Sequence, residues 1–256
     1  MKRLFFDIET SPNVVLSWGV GRKISIDYSN IIKERAIICV CWKWEGSSKV
    51  YSLEWDKGDD KKLLEDFIKV LNNADESIAH NGDRFDIKWL RTRCVFHQIE
   101  MPPKIKTLDT LKKARGAFYF NSNRLDYIGD YLGVGQKIET SYGLWKDIAL
   151  NNCSKAMKKM VDYCKEDVRL LERVYKRLSP YITHNTHAAV LAGGEKWQCP
   201  ECGTVDVVCN KTRTTAAGTI KREMKCNNTE CRKHYTISNR DYLNLLEWRQ
   251  EQKHKV

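Results

Sequence analysis

The seven residues Leu4-Phe5-Phe6-Asp7-Ile8-Glu9-Thr10 constrain this chain more than any other stretch. They read as a β-strand apolar enough to be buried on both faces, yet interrupted by two acids. Successive strand side chains point to opposite faces, so Asp7 and Glu9 share one face while Phe6 and Ile8 share the other. Two like charges so close together in a buried strand cannot both stay ionised without a counter-charge. No basic residue lies inside the strand, and hard carboxylate oxygens suit Mg²⁺ or Mn²⁺. A divalent-metal site is one reading of the segment. The other, which the heptapeptide taken singly favours, is a strand end whose acids reach solvent or cap a turn.

The segments that follow define the setting of that strand. Residues 11–35 are irregular, and residues 36–44 and 49–53 read as strands joined by the turn Glu45-Gly46-Ser47-Ser48. Leu63, Leu64, Phe67, Ile68 and Leu71 recur at helical spacing behind Asp59 or Asp60 as a cap. Residues 77–80 form a short strand, Asn81-Gly82 a sharp turn, and Asp83 the expected N-cap of a helix carrying Phe85, Trp89, Leu90 and Val95. After Met101-Pro102-Pro103 come a strand at 104–108, a segment capped by Asp109-Thr110, a loop at 116–123 and a short helix at 124–132. Residues 155–179 are the longest helical stretch. Strands first, then strands alternating with helices, predict an α/β domain with a mixed sheet ending near Tyr181.

That long helix has an apolar seam at Met160, Cys164, Leu171, Val174 and Leu178, and the position the seam needs in between is Asp167. A buried, unpaired charge is costly, so Asp167 must be protonated, paired or bound to a metal. Tyr163 lies four residues earlier, about 6 Å up the axis on nearly the same face. A further acid, Asp86, falls on the core-facing side of the helix after Asn81-Gly82. Each has an ordinary explanation by itself, a satisfied core acid or an acid favoured by a helix N-terminus. Three elements that each place an acid where burial is expected are not explained one at a time.

Phe6-Asp7-Ile8-Glu9-Thr10, His80-Asn81-Gly82-Asp83-Arg84-Phe85-Asp86 and Tyr163-Cys164-Lys165-Glu166-Asp167 resemble the three motifs of the DEDD superfamily of 3′-to-5′ exonucleases, tyrosine subclass. The resemblance covers roughly residues 1–181, including the Leu125-Asp126-Tyr127-Ile128 helix, and is strongest to stand-alone, often phage-encoded members. It implies a ribonuclease H-like mixed sheet flanked by helices and hydrolysis of phosphodiester bonds with two Mg²⁺ or Mn²⁺ ions. It further implies that Asp7, Glu9 and Asp167 hold the ion that activates water. Asp7 and Asp86 serve the second ion, and Tyr163 orients the water. At the ordinary tyrosine pKa of about 10, Tyr163 is not expected to serve as a free base. For Asn81 and Phe85, contact with the terminal nucleotide stands level with turn formation and core packing. His80 is expected to be structural, and Lys112, Lys113 and Arg115 to form a solvated basic face.

Ten cysteines are split unevenly. Cys39, Cys41, Cys94, Cys153 and Cys164 are scattered through apolar or helical contexts as small core residues, and the rest follow residue 198. Cys199-Pro-Glu-Cys202-Gly is a metal knuckle, and Cys226 and Cys231 supply a second pair, so a four-cysteine ribbon around one structural Zn²⁺ is expected. The wider second spacing leaves His234 or Cys209 as outside candidates for the fourth ligand, and a redox dithiol is the alternative chemistry. The organisation read is a ribonuclease H-like domain at 1–181, a linker at 182–196, a β zinc ribbon at 197–237 and a short C-terminal helix at 238–256. In that last helix Tyr242, Leu245, Leu246 and Arg249 form a face for docking on the protein itself.

A formal charge of +11, with Lys and Arg in excess in both parts, favours a polyanionic partner such as nucleic acid, although excess lysine can be no more than a solubility device. Alongside the exonuclease resemblance the favoured substrate is DNA, ahead of RNA. Lys221, Arg222, Lys225, Arg232, Lys233 and Tyr235 would give the ribbon a basic edge for nucleic acid, though a protein could equally bind there. No apolar run reaches the ~20 residues of a membrane helix, and the N-terminus lacks a signal-peptide pattern, so the expected location is the cytoplasm, the host's if phage-encoded. The rival readings are an RNA-trimming or structure-specific nuclease with the same site, and an inert nucleic-acid-binding or tethering protein.

Overall fold

The computed structural model, which describes residues 1–21 and 23–254, places the acidic heptapeptide in β1 (Arg3–Thr10), the middle strand of a five-stranded sheet. The chain continues through β2 (Val14–Val15), β3 (Ile31–Lys33), β4 (Ile37–Trp44), β5 (Tyr51–Glu54), α1 (Lys61–Asn72), β6 (Glu76–Ala79) and α2 (Asp86–His97). Next come β7 (Thr107–Asp109), α3 (Thr110–Ala117), α4 (Leu125–Tyr131), α5 (Tyr142–Asn151) and α6 (Ser154–Leu178). The C-terminal part holds α7 (Ala188–Leu191), β8 (Val207–Thr214), β9 (Ile220–Cys226), β10 (His234–Ser238) and α8 (Asn239–His254). Lys255 and Val256, the end of the expected C-terminal helix, lie outside the described residues.

The large sheet runs β5-β4-β1-β6-β7, antiparallel on the β4 side of β1 and parallel on the β6 side. It is the mixed sheet flanked by helices expected from the sequence. One face carries Leu4, Phe6 and Ile8 of β1 against Leu64 and Phe67 of α1 and Leu90 of α2. On the other, α6 lies close enough for the Cys164 thiol to reach the Asp7 carbonyl at 3.5 Å. Both faces of β1 are thus covered, as its near-continuous apolar pattern requires.

The chain divides into two compact units, one of Lys2–Lys112 with Phe120–Val174, the other of Met1, Lys113–Tyr119 and the chain from Tyr175 onward. In the second unit, β8, β9 and β10 form an antiparallel sheet over a small core of Trp197, Val207, Met224, Ile237 and Leu245. Leu245 of α8 is fully buried there, and Trp248 packs on Trp197 with ring centroids 5.0 Å apart, so the tail helix docks on its own module. The stretch 182–196 contains α7, whose Ala188 N–H donates to the Pro200 carbonyl at 2.8 Å.

Several local features differ from the sequence expectation. Asp83 does not cap α2; it accepts from Thr107 Oγ1 and Lys112 Nζ, both at 2.6 Å. The stretch 11–35 holds the two-stranded pair of β2 and β3, residues 116 and 117 belong to α3 rather than to the loop, and α5 and β10 are additional elements. Asp60 precedes α1 but makes no side-chain cap bond to it. Instead its fully buried carboxylate takes Arg93 Nε and Nη2, both at 2.8 Å, the Ile37 N–H at 2.9 Å and His97 Nε2 at 2.6 Å. Burial alone would raise its pKa, but these donors hold it below the usual carboxylate value.

Removing one partner of such a pair leaves a buried charge uncompensated. Arg93→Ala is expected to lower unfolding stability by about 3–5 kcal/mol in urea denaturation, far beyond the effect of a surface arginine.

Candidate active site

Strand alternation and one turn bring the acids together. Asp7 and Glu9 leave β1 on the α6 side, and Asp167 projects from the α6 seam to meet them. Carboxylate oxygens of Asp7, Glu9 and Asp167 lie within 4.8 Å of one another. Asp86 arrives by a different route. The parallel pairing of β1 with β6 covers only Arg3, Leu4 and Phe5, and β6 ends at Ala79. The chain then turns at Asn81, whose φ is +67°, and at Gly82, where a Cβ would lie only 2.5 Å from that of Ala79. The turn delivers Asp86 to the start of α2, where its Oδ1 accepts the Ile8 N–H at 3.1 Å. Asp86 thereby continues the hydrogen bonding of β1 past the end of β6, on the residue next to Asp7.

The electrostatics follow from that crowding. Burial first, then Asp86, Glu9 and Asp167, push the Asp7 carboxyl well above its usual value. Burial and Asp167 raise Glu9 to about 8, and burial raises Asp86 to about 7 against the pull of the Ile8 N–H. Asp167 is raised too, by burial, with Lys137 opposing. Lys137 is the residue sequence reasoning missed. Its Nζ lies 2.5 Å from Asp167 Oδ2 and 3.2 Å from the Tyr163 hydroxyl. Burial would lower the ammonium, yet Asp167 and Asp7 hold it above its usual value. The strand did demand a counter-charge; the cation comes from the loop after α4, beyond any local pattern.

The other expected residues are accounted for individually. Tyr163 stands beside Lys137 and meets Trp145 edge-on at 6.3 Å; burial and Asp167 raise its hydroxyl. Asn81 forms the turn, its N–H on Asp109 Oδ1 at 2.9 Å, and Phe85 packs partly buried against the core. His80 is structural, with Nδ1 2.9 Å from Thr110 Oγ1 and Nε2 2.9 Å from the Asn123 carbonyl.

The donor set fits a hard divalent cation. Three carboxylates converge, and Asp167 Oδ1 is buried without a hydrogen-bond partner among the described residues. Such an orphan is costly unless something binds it. A second donor set is soft: Cys199, Cys202, Cys226 and Cys231 cluster within 4.8 Å, with sulfur separations of 3.7 Å for Cys199 and Cys231 and 3.6 Å for Cys202 and Cys226. Tetrahedral Zn²⁺ with bonds near 2.3 Å places its sulfurs about 3.8 Å apart, so this cluster fits a small zinc ribbon. Cys209, whose thiol is directed to the Lys211 carbonyl, and His234 are not part of that cluster.

A mixed sheet with clustered acids at its central strand defines a nuclease-like α/β protein. The family model described as the RNase H superfamily matches residues 4–179, and the chain belongs to that superfamily. A DNA polymerase of Thermococcus hydrothermalis is 29% identical over 105 residues, covering 37% of this chain and 5% of the polymerase. The family B DNA polymerase of Pyrobaculum calidifontis superposes with a TM-score of 0.53 at 16% identity, over 70% of this chain and 24% of that one. This second likeness is one of fold. The chain therefore spans only a small part of either polymerase. Among the described residues no helix is long and apolar enough to cross a membrane.

The raised carboxyls predict a pH signature. A carboxyl whose folded pKa exceeds its unfolded value stabilises the fold below the unfolded value and loses that contribution as pH rises through the folded one. For Asp86 and Glu9 that loss runs from the ordinary carboxylate range up to about 7 and about 8. Without added divalent cation the melting temperature should fall over this interval. The gain from Mg²⁺ or Mn²⁺ should grow over it, reaching roughly 4 °C or more at its upper end. Differential scanning fluorimetry checks this; a pH-independent gain contradicts the assignment.

Proposed function

We propose that the protein is a metal-dependent 3′-to-5′ exonuclease of the DEDD type, tyrosine subclass, acting on nucleic-acid 3′ ends with DNA as the favoured substrate. The observation that carries this reading is the convergence of Asp7, Glu9 and Asp167 beside Asp86, with Tyr163 at the rim. Similarity to a DNA polymerase over 105 residues supports DNA over RNA. Asp7, Glu9, Asp86 and Asp167 would hold two Mg²⁺ or Mn²⁺ ions, which supply Lewis acidity at the phosphodiester and ease deprotonation of the attacking water.

The chain's own groups do the remaining work. Water adds to phosphorus as the bond to the 3′ oxygen of the penultimate nucleotide breaks, releasing a mononucleotide. Tyr163, its hydroxyl kept protonated by burial and by Asp167, orients that water instead of removing its proton. Lys137 fixes Asp167 through Oδ2 and offsets part of the acid charge. Asn81 at the turn and Phe85 at the start of α2 would touch the terminal nucleotide. We assign the chemistry to residues 1–181 and a structural Zn²⁺ to Cys199, Cys202, Cys226 and Cys231 in a ribbon that aids substrate binding.

Asp7→Ala should cut Mg²⁺-dependent shortening of a 5′-labelled DNA strand by about 10²-fold or more, the scale on which one lost electrostatic stabiliser is felt. A 3′-blocked strand should resist the native protein. Equal digestion by native protein and Asp7→Ala refutes the site, and attack on the 3′-blocked strand refutes the direction. Tyr163→Phe should slow turnover by roughly 10²-fold or less, as expected for a positioning group, while calorimetric Mn²⁺ affinity stays near native. An equal loss of Mn²⁺ affinity contradicts its role.

A further inference from the structure

The second unit contains a groove of about 990 Å³ that shares no residue with the acid cluster. Its walls come from the end of α6, with Lys176 and Arg177, from Tyr181 just beyond it, and from the second cysteine knuckle, with Lys225, Arg232 and His234. Lys176, Arg177, Lys225 and Arg232 are all exposed, and Glu230 is the one carboxylate among the lining residues. Thr183, Asn227 and Thr229 add neutral hydrogen-bonding groups. A wall of this composition repels cations, offers little to an apolar ligand and suits an extended anion.

The groove is built, not an accident of flexible side chains. Lys233, expected from sequence to contribute to a basic surface edge, is 4% exposed and turned inward. Its Nζ donates to the Ser179 carbonyl at 2.7 Å and to the Ile182 carbonyl, tying the knuckle to the chain that follows α6. Tyr235, assigned to the same edge, donates to the Trp197 carbonyl at 2.6 Å. Arg222 is likewise committed, to Asn239 at 2.8 Å and to the Tyr242 ring at 4.6 Å. Three of the six residues read as that edge are thus turned to other partners, while Lys225 and Arg232 line the groove. Tyr181, 75% exposed and met edge-to-face by Phe118 at 6.3 Å, adds an aromatic ring at its side. Cations that follow a backbone, with an aromatic ring available for a base, are what single-stranded nucleic acid requires.

We infer that this groove binds the phosphodiester backbone of single-stranded nucleic acid, as a holding site separate from the hydrolytic one. The choice of nucleic acid over another polyanion rests on the nuclease reading above. The test uses the full-length, zinc-loaded protein without added Mg²⁺ or Mn²⁺, and follows binding of a labelled DNA strand of about 20 nucleotides by fluorescence anisotropy across a salt series. The double reversal Lys225→Glu with Arg232→Glu should weaken binding about tenfold or more and flatten the salt slope by roughly 1.4, about 0.7 for each lost phosphate contact. The same reversal at exposed Lys61 and Lys69 on α1 should change little. Circular dichroism and zinc content verify that both variants fold. Lys176→Glu with Arg177→Glu, on the opposite wall, should reproduce the loss.

Unchanged affinity and slope in both groove variants overturn the inference, as does an equal loss on reversal at Lys61 and Lys69. Displacement of the strand by poly-glutamate as readily as by unlabelled DNA also overturns it, because the groove then reads charge alone, as a site for an acidic peptide would. The Asp7→Ala digestion result is independent. Lost digestion with intact groove-variant binding sinks the groove and leaves the nuclease reading standing; unchanged digestion with weakened groove-variant binding does the reverse.

Discussion

Repulsion among acids that the fold gathers into one cluster, Asp86 and Asp167 buried and Asp7 and Glu9 half-buried, is the interaction on which the rest of this structure depends. Because helices cover both faces of β1, a one-residue slip would not free Asp7 and Glu9 but would exchange them with Phe6 and Ile8 and drive the acids into the apolar face. Phe6 against Phe67, with ring centroids 5.5 Å apart, already holds that register in place. The acids therefore stay where the apolar residues put them, and their neighbours are chosen around that fact. Asp86 is held by a backbone N–H that the sheet leaves over, and Asp167 by an ammonium from a distant loop.

The layer behind the acids follows the same logic. Cys41 and Cys39 are the β4 partners of Asp7 and Glu9, and Cys164 comes from α6; all three are fully buried. The Cys164 thiol approaches the Asp7 carbonyl at 3.5 Å and its Oδ2 at 3.7 Å. Thiols are small enough to let the helix approach the sheet, and they bring weak hydrogen-bond donors. A carboxylate or a large apolar side chain at these positions would respectively add repulsion or push α6 away. The sulfur-rich C-terminal cluster has the opposite character: four thiols gathered from two knuckles, with β-strands to either side and a core too small to stand without a clasp.

Much of this was legible in the sequence because it is periodic. The two-residue alternation of β1 and the seam of α6 located Asp7, Glu9 and Asp167 on facing surfaces, and the Asn81-Gly82 turn located Asp86. What escaped was whatever has no period. Lys137 lies in a loop, and only the tertiary fold carries it to Asp167. Asp60 and Asp83 looked like helix caps because local spacing allowed it, but long-range partners, Arg93 and Lys112, outcompeted the helix N-termini. Lys233 read as one more surface lysine, since nothing local shows that the carbonyls of Ser179 and Ile182 are waiting for a donor.

Among the described residues Lys137 is the lysine that meets Asp167, and it does not balance the acid cluster. A single ammonium offsets one negative charge, and four carboxyls share the region, so the protein by itself can reach neutrality only by keeping protons on some of them. The upward shifts at Asp7, Glu9, Asp86 and Asp167 accompany that shortfall, and Asp167 Oδ1 is buried without a donor among the described residues. A site shaped only for stability would have closed the gap with a second basic residue or replaced an acid by an isosteric apolar group, changes that often stabilise a buried ionic cluster. A cluster of acids beside too little positive charge is a site that cationic charge from outside the chain would complete. The repulsion among the acids would then be the source of the affinity for such ions.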